Sequence, residues 1–411
     1  PDLNDIVKPT LQNLIIENNY TESGGGIACL NASPQIIDVT IRNNTASADN
    51  IAHPLNQAKG GGLFCINHSN PSLKNVTITG NIASSNSYGE PQNGGGIACK
   101  DSSDVTLINS TISNNQVIGP SGYWGSYGGG IFCTQSFLTL KNVEISINTT
   151  SSGWGNGIYL VQSNAELTNL TMVDNFSYNH HYGLFIHGNG NYVSITNSII
   201  YGHTNSIFFL YSYDTLDVSF SDIEYGETGI VKYDCSPIIN WLNGNLDEDP
   251  LFSGLEDNPY QLSAESPCID TGNPDTTGLN IPNDDLLGNV RIWDGDNNGS
   301  EVIDMGAFEF NSIPVSNNDK VNKTKVENEV LRTYPNPVIK NLQIETELHN
   351  TEYIEISLLN IRGQKIETIY SGIQNAGISK FLWGSNEYII GVYFIKLKVK
   401  DREIIEKIVK R

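Results

Sequence analysis

Four sets of residues in this chain could do chemistry. The first is a column of thiols. Gly-Gly-Gly-Ile-Ala-Cys occupies residues 24–29 and again 94–99, with near-copies at 60–65 and 128–133, so Cys29, Cys65, Cys99 and Cys133 recur after 36, 34 and 34 residues. Clustered thiolates could hold zinc or carry redox chemistry. Yet Leu160 and Ile186 fill the same place in later copies, which marks it as apolar and inward-facing. Stacked strands lie about 4.8 Å apart, so a ladder of free buried thiols is expected, with one or two bridges as the alternative. Cys235 and Cys268 stand outside the column, and a bridge between them is left open.

The second set is Asp294-Gly295-Asp296-Asn297-Asn298-Gly299, which opens like a calcium loop with oxygen ligands at positions 1, 3 and 5 and glycine at 6. Position 12 is Met305 rather than a bidentate Glu, leaving Glu301 and Asp304 as the nearest carboxylates. Asp294, Asp296, Asn298 and Asp304 are the candidate ligands for a structural calcium, against the alternative of a solvated Asx turn; no other cofactor is implied. The third set is carboxylates that adjacent repeats could gather for glycoside hydrolysis: Asp174, Asp214, Asp217, Asp222 and Glu224, with Tyr201, His180, His181, His187 and His203 nearby. Asp174 reads better as a turn residue. Lyase chemistry would want Arg or Lys beside the acids, and Arg42 is the only arginine before Arg291. The fourth set is aromatic: Tyr123, Trp124, Tyr127, Trp154, Tyr178 and Tyr182 sit in Gly/Ser-rich stretches, a composition suited to sugar or protein recognition. Packing of these rings on one another is the alternative.

A second recurring stretch positions these sets. Leu14-Ile15-Ile16-Glu17-Asn18-Asn19 returns as Val39–Asn44, Val76–Asn81, Ser110–Asn115, Val143–Asn148 and Leu170–Asn175, then fades. From Ile16 the apolar position recurs after 25, 37, 34, 33, 27, 27 and 24 residues. Period-2 alternation means strand, and Asn-Asn is turn chemistry. A unit of two or three short strands cannot bury its own apolar face, but stacked units can. The pattern predicts an all-β protein: a right-handed parallel β-helix of about eight coils over residues 1–245. Coil length varies only between the Asn-Asn turn and the glycines, so the aromatic loops project along one edge. Residues 246–310 are expected to cap the stack, 311–330 to be a linker, and 331–411 to form a small immunoglobulin-like β-sandwich of about seven strands.

The formal net charge is −22. It is uneven: residues 1–330 carry 36 acidic and 11 basic residues, residues 331–411 carry 9 and 12. An acidic body repels phosphate backbones, so nucleic acid is excluded as a partner. No stretch reaches the roughly 18 apolar residues of a membrane-spanning helix. The chain starts at Pro1 without a leader and reads as a mature or truncated product.

Three resemblances cover most of the chain. The body resembles the right-handed parallel β-helix superfamily that includes pectate lyases, and its Gly-Gly-Gly-Ile and Ile-x-Asn-Asn signatures resemble bacterial polymorphic-repeat surface proteins. Residues 249–309, with Asp249-Pro250-Leu251-Phe252, Ser266-Pro267-Cys268-Ile269-Asp270, Gly288–Arg291 and Asp304–Glu309, are similar to a choice-of-anchor segment. Tyr334-Pro335-Asn336-Pro337-Val338, Asn360–Gln364, Gly391-Val392-Tyr393-Phe394 and Lys407–Arg411 resemble a type A C-terminal sorting domain of the type IX secretion system. That resemblance implies that residues 331–411 meet the secretion machinery, with Pro335, Asn336, Pro337, Gly391, Tyr393, Lys410 and Arg411 carrying the signal. It also implies a secreted or outer-membrane-surface location in a gram-negative bacterium. The reading is of a surface-displayed, non-enzymatic β-helix that binds a glycan or another macromolecule through its loop ridge. The alternative is a polysaccharide lyase or glycoside hydrolase.

Overall fold

Each repeat gives strands of two to ten residues because alternating Ile, Leu and Val bury one face while Thr and Ser point out. Turns follow wherever a residue tolerates left-handed backbone: Asn18, Asn43, Asn114 and Asp174 have φ between 52° and 58°. The computed structural model describes residues 8–48, 59–85, 92–119, 125–151, 153–177, 182–211, 213–255, 258–315, 330–348, 351–360, 364–385, 388–389, 391–399 and 402–411. Tyr123, Trp124, Tyr178, His180 and His181 lie outside them. The chain divides into two compact units, residues 1–317 and 318–411.

In the first unit the strands stack coil on coil into three long parallel sheets of 14, eight and six strands among the described residues. Ile16, Ile41, Ile78, Ile112, Ile145, Met172, Ile200 and Ile223 align in one column of the largest sheet. All but Ile16 are fully buried. The column corrects the spacing read from the repeats by one residue: Ile200, not Ile199, follows Met172. Such a slip turns the neighbouring side chain to the opposite face, and Ile199 packs outside the coil.

Beside the apolar column runs a ladder of the second Asn of each turn. The backbone N–H and side-chain Nδ2 of Asn44, Asn81, Asn115 and Asn148 donate to the Oδ1 of the next coil's Asn at 2.9–3.0 Å. Each Nδ2 also donates to an Ile carbonyl of a preceding coil. These buried amides are therefore satisfied, as burial demands. The ladder ends where the Asn175 N–H donates to His203 Nε2.

The glycines are required by geometry. Gly94 has φ 68°, and a Cβ on Gly95 would stand 2.5 Å from the Gly129 carbonyl of the next coil. No side chain fits there at the coil spacing.

Residues 246–310, expected as a cap, and the first residues of the expected linker, 311–315, run back along the flank of the large sheet within the same unit. The outward column Thr40, Thr77, Thr111, Glu144, Thr171, Ile199, Asp222 explains where they bind. It turns apolar at Ile199, which packs with Leu262, Cys268, Ile269 and Met305. Val173 packs with Tyr260, Ala307 and Phe308. Polar ties reach further back: Ala307 N–H donates to Thr171 Oγ1, Tyr260 Oη to Asp174, Asn142 Nδ2 to the Asp284 carbonyl and Lys141 Nζ to the Leu279 carbonyl. With little regular structure, the segment is held by a buried cluster. The Arg291 guanidinium lies 3.2 Å from Glu309 and donates to the carbonyls of Asp304 and Gly306.

The second unit has seven strands among its described residues, in antiparallel sheets of three and four. Leu342, Ile344 and Trp383 of one sheet pack with Ile354, Ile356, Ile395 and Leu397 of the other, which makes a small β-sandwich.

Candidate functional site

The strands that carry the cysteines also build an aromatic edge. One position before each cysteine register the side chain points out of the coil, giving the column Ala28, Phe64, Ala98, Phe132, Tyr159, Phe185, Phe208. Phe132, Tyr159, Phe185 and Phe208 stack with centroids 5.8, 4.9 and 4.9 Å apart and planes within 13°. The loops entering the glycines lay a second row on the first. Tyr127 stacks on Tyr159 at 4.7 Å and Trp154 on Phe185 at 5.2 Å and 3°, while Tyr182 packs on Phe208 at 4.7 Å with the rings tilted by 45°. Tyr127 and Trp154 lie 6.0 Å apart and are joined by backbone pairing. The inner ring Tyr159 is 2% exposed, Tyr182 9%, while Tyr127 and Trp154 remain partly exposed. Burial pushes the Tyr159 hydroxyl well above its usual range, with Tyr127 adding to it; the hydroxyl sits 3.1 Å from His187 Nδ1. The outer row is thus pre-positioned by the inner one. The inner column was legible in the residue between Ile and Cys of each repeat, where Phe recurs.

The hydrolytic candidates are dispersed into scaffold roles. Asp214 is buried and accepts from Asn191 N–H and Nδ2. Asp174 is the left-handed turn residue and accepts from Tyr260. Asp222 is buried under the flank segment, accepting from Glu248 N–H and the Cys268 thiol, and burial raises its pKa to about 6. Glu224 accepts from the His203 N–H. Asp217 is half-buried on the outward side of its strand, bonded by Tyr192 Oη and Asn240 Nδ2 at 2.7 Å each. In the same outward column stands Glu166, which the sequence reading passed over, separated from Asp217 by Ser194. A hollow of about 310 Å³ lies between flank segment and sheet, lined by Asn75, Thr77, Asn109, Thr111, Asn258 and Asp284 among others.

In the Asp294 loop, Asp294 and Asp296 are joined by Asp270, with carboxylate oxygens within 4.8 Å of one another. Such oxygens can share one hard cation, although calcium takes six to eight. The Asn298 amide donates to Asp296. Asp304 points elsewhere: its carboxylate is fully buried and accepts the Asp270 and Phe310 N–H groups. Burial raises its pKa to about 7.

The cysteines depart in part from expectation. Cys99 and Cys133 form a disulfide with Cα atoms 4.8 Å apart, a separation inside the range a bridge accepts. The spacing argument against bridging therefore fails: side chains on adjacent parallel strands need only lean together. Cys29, Cys65, Cys235 and Cys268 are free thiols.

In the second unit the signal residues converge on the terminal strand. Gly391 pairs with Lys410, and Tyr393 with Ile408. The Asn336 side chain between Pro335 and Pro337 donates to the Lys407 carbonyl and accepts the Val409 N–H. Lys410 Nζ donates to the Ile339 carbonyl, and the Arg411 N–H to that of Val338.

A protein with this body and tail is an exported β-helix. Residues 7–175 match the family model for the right handed beta helix region, and residues 332–411 the model for the secretion system C-terminal sorting domain. The chain is therefore a right-handed parallel β-helix protein with a type IX secretion sorting domain, secreted from or displayed on a gram-negative bacterium. No curated protein matches it. No helix among the described residues is long and apolar enough to cross a membrane.

Proposed function

We propose that the protein is a non-enzymatic recognition module that binds a glycan along its aromatic edge once outside the cell. The observation that carries this reading is the doubled row, in which Tyr127 and Trp154 are backed by the buried Tyr159–Phe185 stack. Rings fixed this way lose little side-chain entropy on binding, and an aromatic face with neighbouring Ser and Asn suits a sugar's C–H face and hydroxyls. The acidic body favours neutral or basic saccharides over polyanions. Supporting the non-enzymatic part, Asp174, Asp214 and Asp222 hold turns, ladder and flank segment. The test is binding of the full chain to a panel of neutral polysaccharides, compared with Trp154→Leu and Tyr127→Leu, which keep apolar packing but remove the ring. A loss of at least about tenfold in affinity is expected, with the β-sheet circular dichroism retained and only a small fall in melting from the lost stacking; unchanged binding would discard the edge as the site.

A further inference from the structure

Cys29 and Cys65 occupy the same register on adjacent strands as the bridged pair two coils on. Cys29 aligns with Cys65, Cys65 with Cys99, and Cys99 with Cys133. All four sit in one apolar core column, and the thiols of Cys29 and Cys65 are within hydrogen-bonding reach of each other. We propose that Cys29 and Cys65 form a second disulfide in the exported protein, so that the core column is stapled as 29–65 and 99–133.

The pairing follows from the ladder. Cysteines two coils apart are separated by about 10 Å, beyond the roughly 7 Å between Cα atoms that a bridge can span. Only neighbours can pair, and the central choice 65–99 would strand Cys29 and Cys133 three coils apart. The arrangement 29–65 with 99–133 alone uses all four cysteines of the column. Two S–H bonds break and one S–S bond forms; the two electrons and two protons pass to the disulfide of an exported-compartment oxidoreductase or a small-molecule disulfide, which leaves as dithiol. Cys29 and Cys65 are 2% and 0% exposed, so this exchange belongs to the stage before the first coils close. Each bridge then ties two successive coils, and together they lock the first four.

The test uses the full chain, denatured, reduced and refolded in a reduced/oxidised glutathione buffer, then alkylated under denaturing conditions and digested without reduction. A peptide containing Cys29 linked to one containing Cys65, beside the Cys99–Cys133 link, is the expected result. Alkylated Cys29 and Cys65, or a Cys65–Cys99 link, would overturn the proposal. A second readout separates bridging from packing. Cys29→Ala should lower the thermal midpoint of the oxidised protein by clearly more than that of the same protein held in reductant, because only the former has a bridge to lose. Equal losses in both states would mean a packing role alone and would overturn it too.

Discussion

Replacing Asn115 by Ala should unlink two halves of the coil stack. Its side chain accepts from the Asn81 N–H at 3.0 Å and from Asn81 Nδ2 at 2.9 Å, and donates to the Ile78 carbonyl at 2.9 Å and Asn148 Oδ1 at 3.0 Å. Asn115 and Asn81 are both 0% exposed, so water cannot replace what is lost. At about 1 kcal/mol net for each of the four hydrogen bonds, with an added 1–3 kcal/mol for the Asn81 N–H left buried and unpaired, the loss is about 5–7 kcal/mol. Asn19, at the exposed end of the ladder, donates its side chain to Asn44 Oδ1, and Asn19→Ala should cost about 1 kcal/mol or less. Urea unfolding followed by far-ultraviolet circular dichroism gives both numbers, and hydrogen exchange of the Asn81 amide reports the broken link directly. An Asn115→Ala cost below about 1 kcal/mol, or an Asn81 amide as protected as before, would refute the ladder as a source of stability.

Other perturbations address other parts of the structure. Gly95→Ala would press a methyl to 2.5 Å from the Gly129 carbonyl and should cost at least about 3 kcal/mol in thermal unfolding, whereas Gly299→Ala, with nothing within 4 Å, should cost about 1 kcal/mol for its φ of 95°. Arg291→Met leaves Glu309 buried without its 3.2 Å partner and should cost about 3–5 kcal/mol, seen first as proteolysis within residues 246–315. Asp222 has a folded pKa of about 6 against an ordinary 3.8, so folding favours its protonated form. Its stabilising contribution is full below about pH 4 and lost as pH rises through 6, so Asp222→Asn should raise stability at pH 7 by up to about 3 kcal/mol and leave it little changed at pH 4.

The repeats made the coil legible because each rung rewrites the same side chains: Ile and Val inward, Asn at the turn, Gly where strands approach. Where rungs stop rewriting, legibility ends. The Asn197–Gly202 copy has two adjacent isoleucines, so sequence spacing selects Ile199 as the inward one, and only its neighbours' register shows that it is Ile200. The course of the flank segment along the sheet is not legible, because its partners lie far away in sequence, as Ala307 with Thr171 and Tyr260 with Asp174. No local pattern encodes such contacts. Their one sequence trace is the outward column's change from Thr77 and Thr111 to Ile199. The aromatic loops were legible as aromatic, but not as the outer layer of a stack on Phe132, Tyr159, Phe185 and Phe208. The fourth expected calcium ligand, Asp304, is spaced suitably along the chain, yet the N–H groups of Asp270 and Phe310 draw its carboxylate inward.

The central claim is recognition without turnover at the aromatic edge. Incubating the purified exported protein with immobilised neutral polysaccharides, and measuring both retained protein and released reducing or unsaturated ends, tests it most directly. Saturable retention with no released ends is the predicted result. Sugar released in proportion to enzyme and time would contradict it and would move the search to Glu166 and Asp217.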